Sequence, residues 1–115
     1  MHPVFSFLET FELHLYLVKR ILSKSTLRSF WENYPDCEQH IKTWHKTAKD
    51  SNWKSLADVK QTYGNASIVG NSRVVFNIKG NHYRLVVKFN FERSWAFIRF
   101  IGTHQEYDKI DVTIV

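Results

Sequence analysis

Hydrophobic residues along the chain follow two rhythms. Between Leu27 and Ala48 they recur every three or four positions, the spacing of one helix face, and from Ala66 onward they alternate with polar residues, the spacing of a half-buried strand. Leu27, Phe30, Trp31 and Tyr34 mark a first helix, for which Ser23 or Ser25 supplies an N-cap and Pro35 a stop. Arg20-Ile21-Leu22 ahead of it reads as a short strand. Asp36 followed by Gln39 has the form of a capping box, and Ile41, Trp44, His45 and Ala48 carry a second helix to about Asp50. Two helices joined at a proline predict a helical hairpin. Ser55 with Asp58 offers a further cap for a short helix through Leu56, Val59 and Tyr63, which ends at Gly64-Asn65.

In Arg73 to Lys79, Val74, Phe76 and Ile78 point one way while Arg73, Asn77 and Lys79 point the other. Gly80-Asn81 reads as a two-residue hairpin loop. The return strand then sets Tyr83, Leu85, Val87, Phe89 and Phe91 on one face, with His82, Arg84 and Lys88 on the other. A third strand runs from Trp95 to Ile101, with Ala96, Ile98 and Phe100 alternating against Phe97 and Arg99. Thr103 with Glu106 repeats the capping-box spacing and places His104 and Tyr107 on one face of a short turn. Helices first and a meander after predict an α+β domain, with N-terminal helices packed on one face of a twisted antiparallel sheet.

The length of 115 residues is that of one ordinary domain, and 43% hydrophobic with 16% aromatic residues is enough to close a core, so global disorder is excluded. Residues 1–18 stand apart: they are rich in Phe and Leu, carry Glu9 and Glu12, and have no Lys or Arg before Lys19. They lack the basic leader of a signal peptide and are too short and too charged to span a membrane. Two readings fit this extension, an amphipathic element packed on the domain or residues translated from upstream of the natural start. Residues 19–115 form the domain proper. Cys37 is the one cysteine, which precludes an internal disulfide and fits a reducing cytoplasm.

Sixteen Lys and Arg against eleven Asp and Glu give a net charge of +5, which favours a polyanionic partner, nucleic acid before an anionic membrane or an acidic protein. The basic residues concentrate on the polar side of the strands and in the terminal turn: Arg73, Lys79, Arg84, Lys88 and Arg99, with His104, Tyr107 and Lys109. A solvated sheet face also carries Lys and Arg, but it usually intersperses acids, and these strands offer almost none. Cations for phosphate, a histidine that titrates near neutrality and rings for stacking together suit RNA. Cleaving RNA without a metal requires taking a proton from the 2′-OH, stabilising a phosphorane and protonating the departing 5′ oxygen. His104, Tyr107, Arg84 and a lysine can supply these functions. A histidine at a strand end is also commonly structural.

Other chemistries find no support. There is no Gly-rich phosphate loop, no serine nucleophile elbow and no zinc-ligand spacing, so neither a cofactor nor a metal is expected. His40 and His45 do not share a helix face and read as surface or core residues, and Trp31, Trp44, Trp53 and Trp95 read as packing.

The stretches Arg73-Val74-Val75-Phe76-Asn77-Ile78-Lys79-Gly80-Asn81-His82-Tyr83-Arg84-Leu85-Val86 and Ile98-Arg99-Phe100-Ile101-Gly102-Thr103-His104-Gln105-Glu106-Tyr107-Asp108-Lys109-Ile110-Asp111 closely resemble the HigB family of bacterial type II toxins, from about Lys19 to Asp111. The resemblance implies membership of the RelE-like superfamily, and with it an endoribonuclease that cuts mRNA on the translating ribosome. It also implies neutralisation by a HigA-type antitoxin carrying a helix-turn-helix domain. On the matching positions it suggests His104 as proton-transfer group, Arg84 and Lys79 as phosphate and transition-state ligands, and Tyr107 as an orienting or stacking residue. Arg73, Arg99 and Lys109 also match and would hold RNA, together with Lys88 of the same basic strand face.

The competing class is a non-catalytic basic module, a degenerate toxin that binds RNA or protein through the same face. A helix-turn-helix reader of DNA fits less well, because the basic residues lie on strands rather than on one helix. The apolar tail Val112 to Val115 is expected either to add a strand or to fray.

Overall fold

The structure, a computed structural model, describes residues 20–115, so the expectations for residues 1–18 lie outside the described residues. The chain forms β1 (Arg20–Leu22), α1 (Lys24–Asn33), a 3-10 turn (Pro35–Cys37), α2 (Glu38–Asp50), α3 (Leu56–Thr62), β2 (Ser67–Val69), β3 (Arg73–Ile78), β4 (Tyr83–Asn90), β5 (Trp95–Thr103) and the short α4 (His104–Tyr107). The strands make one five-stranded sheet in the order β1-β5-β4-β3-β2. The α+β layering follows the expectation from periodicity. The sheet is mixed rather than wholly antiparallel, because β1 pairs in parallel with β5, Ile21 opposite Ala96. An opening strand and a closing strand joined through the whole intervening chain show no hairpin signal by which their pairing could be read. Among the described residues no helix is long and apolar enough to cross a membrane.

One face of the sheet carries the core. Leu27 and Trp31 of α1, Ile41, Trp44 and Ala48 of α2, and Val59 of α3 are buried against Val74, Phe76, Ile78, Leu85, Val87 and Ala96. Phe76 sits at the centre, edge-on to Trp44 at 5.3 Å and to Tyr63 at 5.2 Å between ring centroids. Trp31, Trp44 and Trp53 are buried as expected, whereas Trp95 is half-buried beneath the Arg93 guanidinium.

The alternation along β5 breaks at Arg99. Val87 pairs with Ile98 but Val86 pairs with Phe100, so Arg99 is an extra residue, a bulge that reverses the side on which every following residue falls. Ile98 and Ile101 both pack on the core, and Phe100 moves to the opposite face instead of continuing the Ala96, Ile98 row. A strict period of two cannot register an inserted residue.

Two caps form as the sequence indicates. Ser55 Oγ accepts the amide of Asp58, and in the box at α4 Thr103 Oγ1 accepts the Glu106 amide at 3.1 Å while Glu106 Oε1 accepts the Thr103 amide at 2.8 Å. Ser23 is the N-cap of α1 but its hydroxyl bonds Ser25 Oγ rather than backbone. Asp36 makes no capping box. It lies in the 3-10 turn and reaches across to the β3–β4 hairpin, where Oδ1 accepts from Tyr83 Oη at 2.7 Å and Oδ2 from Lys79 Nζ at 2.7 Å. The hairpin loop is four residues long, with Ile78 and Tyr83 as the last pair, and both Lys79 (φ 52) and Gly80 (φ 63) are left-handed. Those dihedrals take Lys79 out of the strand's alternation and toward Asp36.

These contacts hold the Asp36 carboxyl below its ordinary range, chiefly through the Lys79 hydrogen bond and then that of Tyr83. Burial, with the Asp36 bond second, pushes the Tyr83 phenol up to about 12. Cys37 is buried and donates to Tyr34 O at 3.1 Å, and burial raises its thiol to about 11, so it stays protonated near neutrality.

Removing the central ring in Phe76→Ala is expected to cost about 3–5 kcal/mol by emptying a site that cannot collapse. Urea unfolding checks this, since the midpoint should fall with the slope unchanged. A carboxyl with a depressed folded-state pKa contributes stability above its unfolded value, and that contribution is lost as pH falls through the folded one. Asp36→Asn should therefore flatten the fall in unfolding free energy below about pH 4, compared with wild type in the same titration.

Candidate functional site

The sheet face opposite the helices presents Arg73, Val75 and Asn77 from β3, Arg84, Val86 and Lys88 from β4, and Phe97, Phe100 and Gly102 from β5. Register brings Asn77, Arg84 and Gly102 into one row across the three strands at the end where α4 begins.

At this end Arg84 is held in place by its own hairpin. Its Nη1 donates to Asn81 O and Tyr83 O, both at 3.2 Å, and its Nη2 donates to Asn81 Oδ1 at 2.6 Å. The guanidinium lies 6.0 Å from the centroid of the Tyr107 ring, and that ring stands 6.4 Å from Phe100. His104 begins α4, and its amide donates to His82 O at 3.0 Å, tying α4 to the hairpin. His104 Nδ1 is turned inward, 3.1 Å from Asp108 Oδ2 but not aligned for a hydrogen bond, while 41% of the side chain remains exposed. A cation and two aromatic rings thus gather at the hairpin end of the face, with His104 opening the adjoining α4.

Gly102 makes this packing possible. A Cβ there would fall 2.6 Å from Phe100 Cζ and 2.9 Å from Glu106 Oε1, the oxygen that closes the capping box. Only a residue without a side chain lets the Phe100 ring lie across β5 while Glu106 caps α4.

The other candidate residues divide by position. Lys79 does not join the open face: its ammonium pairs with Asp36 at 2.7 Å, near the buried Tyr83 hydroxyl. Arg73 is buried at 5% exposure, its guanidinium donating to Val115 O at 3.1 and 2.6 Å and to Asn71 O. Arg99, displaced by the bulge, donates to the same Val115 oxygen at 3.2 Å. Lys88 is exposed on the same face, and Lys109 is exposed just after α4.

The C-terminal tail neither adds a strand nor frays. Its Thr113 O accepts from Asn71 Nδ2 at 3.0 Å, and Val115 O gathers Arg73 and Arg99. The sequence marked neither Asn81 nor Asp108 as a site residue, and it set His82 on the polar face of the strand without a role. Asn81 and His82 adjoin Gly80 in a loop whose geometry no periodicity describes, whereas Asp108 carried a signal, the four-residue spacing from His104 on a capped turn.

Against known families, residues 37–110 match the HigB toxin model, described as the RelE-like toxic component of a toxin-antitoxin system. The chain is 23% identical over 92 residues to the mRNA interferase HigB of Escherichia coli O6:H1, covering 78% of this chain and 89% of that protein. It is 26% identical over 90 residues to the mRNA interferase toxin HigB of Escherichia coli K12, covering 76% and 86%. The family match spans well over half the chain, including the hairpin and α4 that carry the cluster around Arg84 and His104. The chain belongs to the HigB family of RelE-like toxins.

Proposed function

We propose that the chain cleaves mRNA as an endoribonuclease on the translating ribosome, as the toxin of a pair with a HigA-type, helix-turn-helix antitoxin. The contact of Arg84 with Tyr107 at one end of the open face, with His104 on the same capped helix as Tyr107, carries this reading. The names of its relatives as mRNA interferases support the substrate.

The chemistry follows from the groups present. A base removes the 2′-OH proton, O2′ attacks phosphorus, the P–O5′ bond breaks, and an acid protonates O5′, leaving a 2′,3′-cyclic phosphate and a 5′-OH. His104 is the proton-transfer group, its Nδ1 held inward beside Asp108 and the rest of the ring open to substrate. Arg84, fixed by Asn81 and the hairpin carbonyls before substrate arrives, meets the charge that develops on the phosphorane oxygens. Tyr107 steadies the guanidinium from one side and offers a ring to an unpaired base. Lys79, paired with Asp36 off the open face, braces the hairpin from which Arg84 projects rather than meeting the phosphate itself. Lys88 and Lys109 extend the cationic surface for the RNA backbone and exposed Arg99 adds to it, whereas Arg73, buried under Val115, holds the tail.

Induced expression in a bacterium with mapping of transcript 5′ ends tests this reading. New ends inside translated frames are expected for the wild type. His104→Ala and Arg84→Ala should reduce them about 100-fold, the worth of one acid–base or charge-stabilising group, with folding retained. A folded His104→Ala variant that cuts like wild type contradicts the role of His104. No new ends for the wild type would favour the non-catalytic module. Gly102→Ala should also lower cleavage at least tenfold by displacing Phe100 and opening the α4 cap, with far-UV dichroism of the sheet unchanged.

A further inference from the structure

A second concentration of positive charge lies on the helical layer, across the sheet from the Arg84 cluster. A cleft of about 600 Å³ between α1 and α2 is lined by Lys24, Arg28, Trp31, Glu32, Lys42 and His45. Lys24 and Arg28 sit one turn apart on α1, exposed, and neither has an acidic partner among the described residues. On α2, Lys42 lies 5.2 Å over the Trp31 ring and pairs with Glu38, and Lys49 follows His45 one turn later. Glu32 is the one carboxylate in the lining. Lys24 and Arg28 repel each other, one turn apart on α1 with no ion-pair partner among the described residues, and an anion bound in the cleft relieves that cost.

We infer that the α1–α2 cleft is a second RNA-binding surface, where Lys24, Arg28 and Lys42 hold phosphates of an RNA backbone on the side of the domain away from the Arg84 cluster. The lining decides between RNA and an acidic protein. A protein interface is organised around exposed apolar anchors, and the large exposed hydrophobics of the described residues, Leu22, Ile68 and Ile114, all lie outside this cleft. Trp31, its one large apolar group, is 8% exposed and already covered by Lys42. What the cleft offers is cationic side chains from both helices, the groups that neutralise phosphates. His45 registers the same field: burial first, and then the charges of Lys24 and Lys49, hold its imidazole below the ordinary value.

With two cationic surfaces on opposite layers, one RNA segment could be gripped by the helices while another enters the hairpin end of the sheet. The inference goes beyond the cleavage reading and stands without it.

The test is binding of a fluorescein-labelled RNA hairpin of mixed sequence to the full chain carrying His104→Ala, so that no result depends on cleavage. Removing two phosphate contacts in Lys24→Ala/Arg28→Ala should weaken binding about tenfold and make the slope of log K against log salt shallower by roughly 1–2. Lys54→Ala/Arg93→Ala, which removes the same charge elsewhere, should leave both nearly unchanged. The hairpin RNA should also raise the pKa of His45, followed by its ring proton resonances, because a phosphate offsets the field of Lys24 and Lys49. Equal losses in the two double variants would reduce the effect to net charge and overturn the inference. Wild-type binding by the Lys24/Arg28 variant, or an unmoved His45 at saturating RNA, would overturn it as well. Loss of antitoxin binding with RNA binding intact would make the cleft a protein surface instead.

Discussion

One extra residue in β5 decides what the open face of the sheet contains. Because Arg99 has no partner between Ile98 opposite Val87 and Phe100 opposite Val86, the strand changes sides at that point. Ile101 enters the core and Phe100 leaves it. Gly102 then falls opposite Arg84, and the strand reaches Thr103 in the orientation that caps α4. Without the bulge the Phe100 ring would sit among the helices, and the row that places Arg84 below Tyr107 would not form. The hydrophobic pull of the core on Ile98 and Ile101 stabilises the bulge from one side. The packing of Phe100 over Gly102 stabilises it from the other.

Asp36 performs the complementary task at the hairpin. It joins the turn between the first two helices to Tyr83 and Lys79, fixing the loop from which Asn81 holds Arg84 and His82 receives the amide of His104. Positions far apart in sequence are thereby fixed relative to one another before substrate binds. Such preorganisation is what a site built to stabilise developing charge requires. Arg73 and Arg99 are treated differently, since one main-chain oxygen of the tail takes up both guanidinium groups. The open face is therefore divided: its hairpin end presents the Arg84 and Tyr107 cluster, and its far end binds the tail of its own chain.

The helices, the antiparallel strands and the capping box at Thr103 were legible because each follows from local periodicity or from a fixed spacing of residue types. The parallel β1–β5 pair, the bulge at Arg99 and the reach of Asp36 were not, because all three are set by contacts between distant segments. The same division runs through the site. Arg84, His104 and Tyr107 could be named from a basic strand face and a capped turn, and the structure gathers them. Lys79 looked like a strand residue beside Arg73, yet its left-handed backbone sends its ammonium to Asp36. Arg73 looked solvent-facing by alternation, and the tail buries it. The family resemblance named residues but said nothing of these partners.

The claim on which the rest depends is that the hairpin-end cluster breaks RNA through its own 2′-hydroxyl. The direct measurement takes an mRNA cut by the wild-type chain on ribosomes and replaces the nucleotide 5′ of the scissile phosphate with its 2′-deoxy form. The account predicts that cleavage at that bond disappears while binding persists, and that the unmodified RNA yields a 2′,3′-cyclic phosphate end. Cleavage of the deoxy-substituted message at an undiminished rate would contradict it.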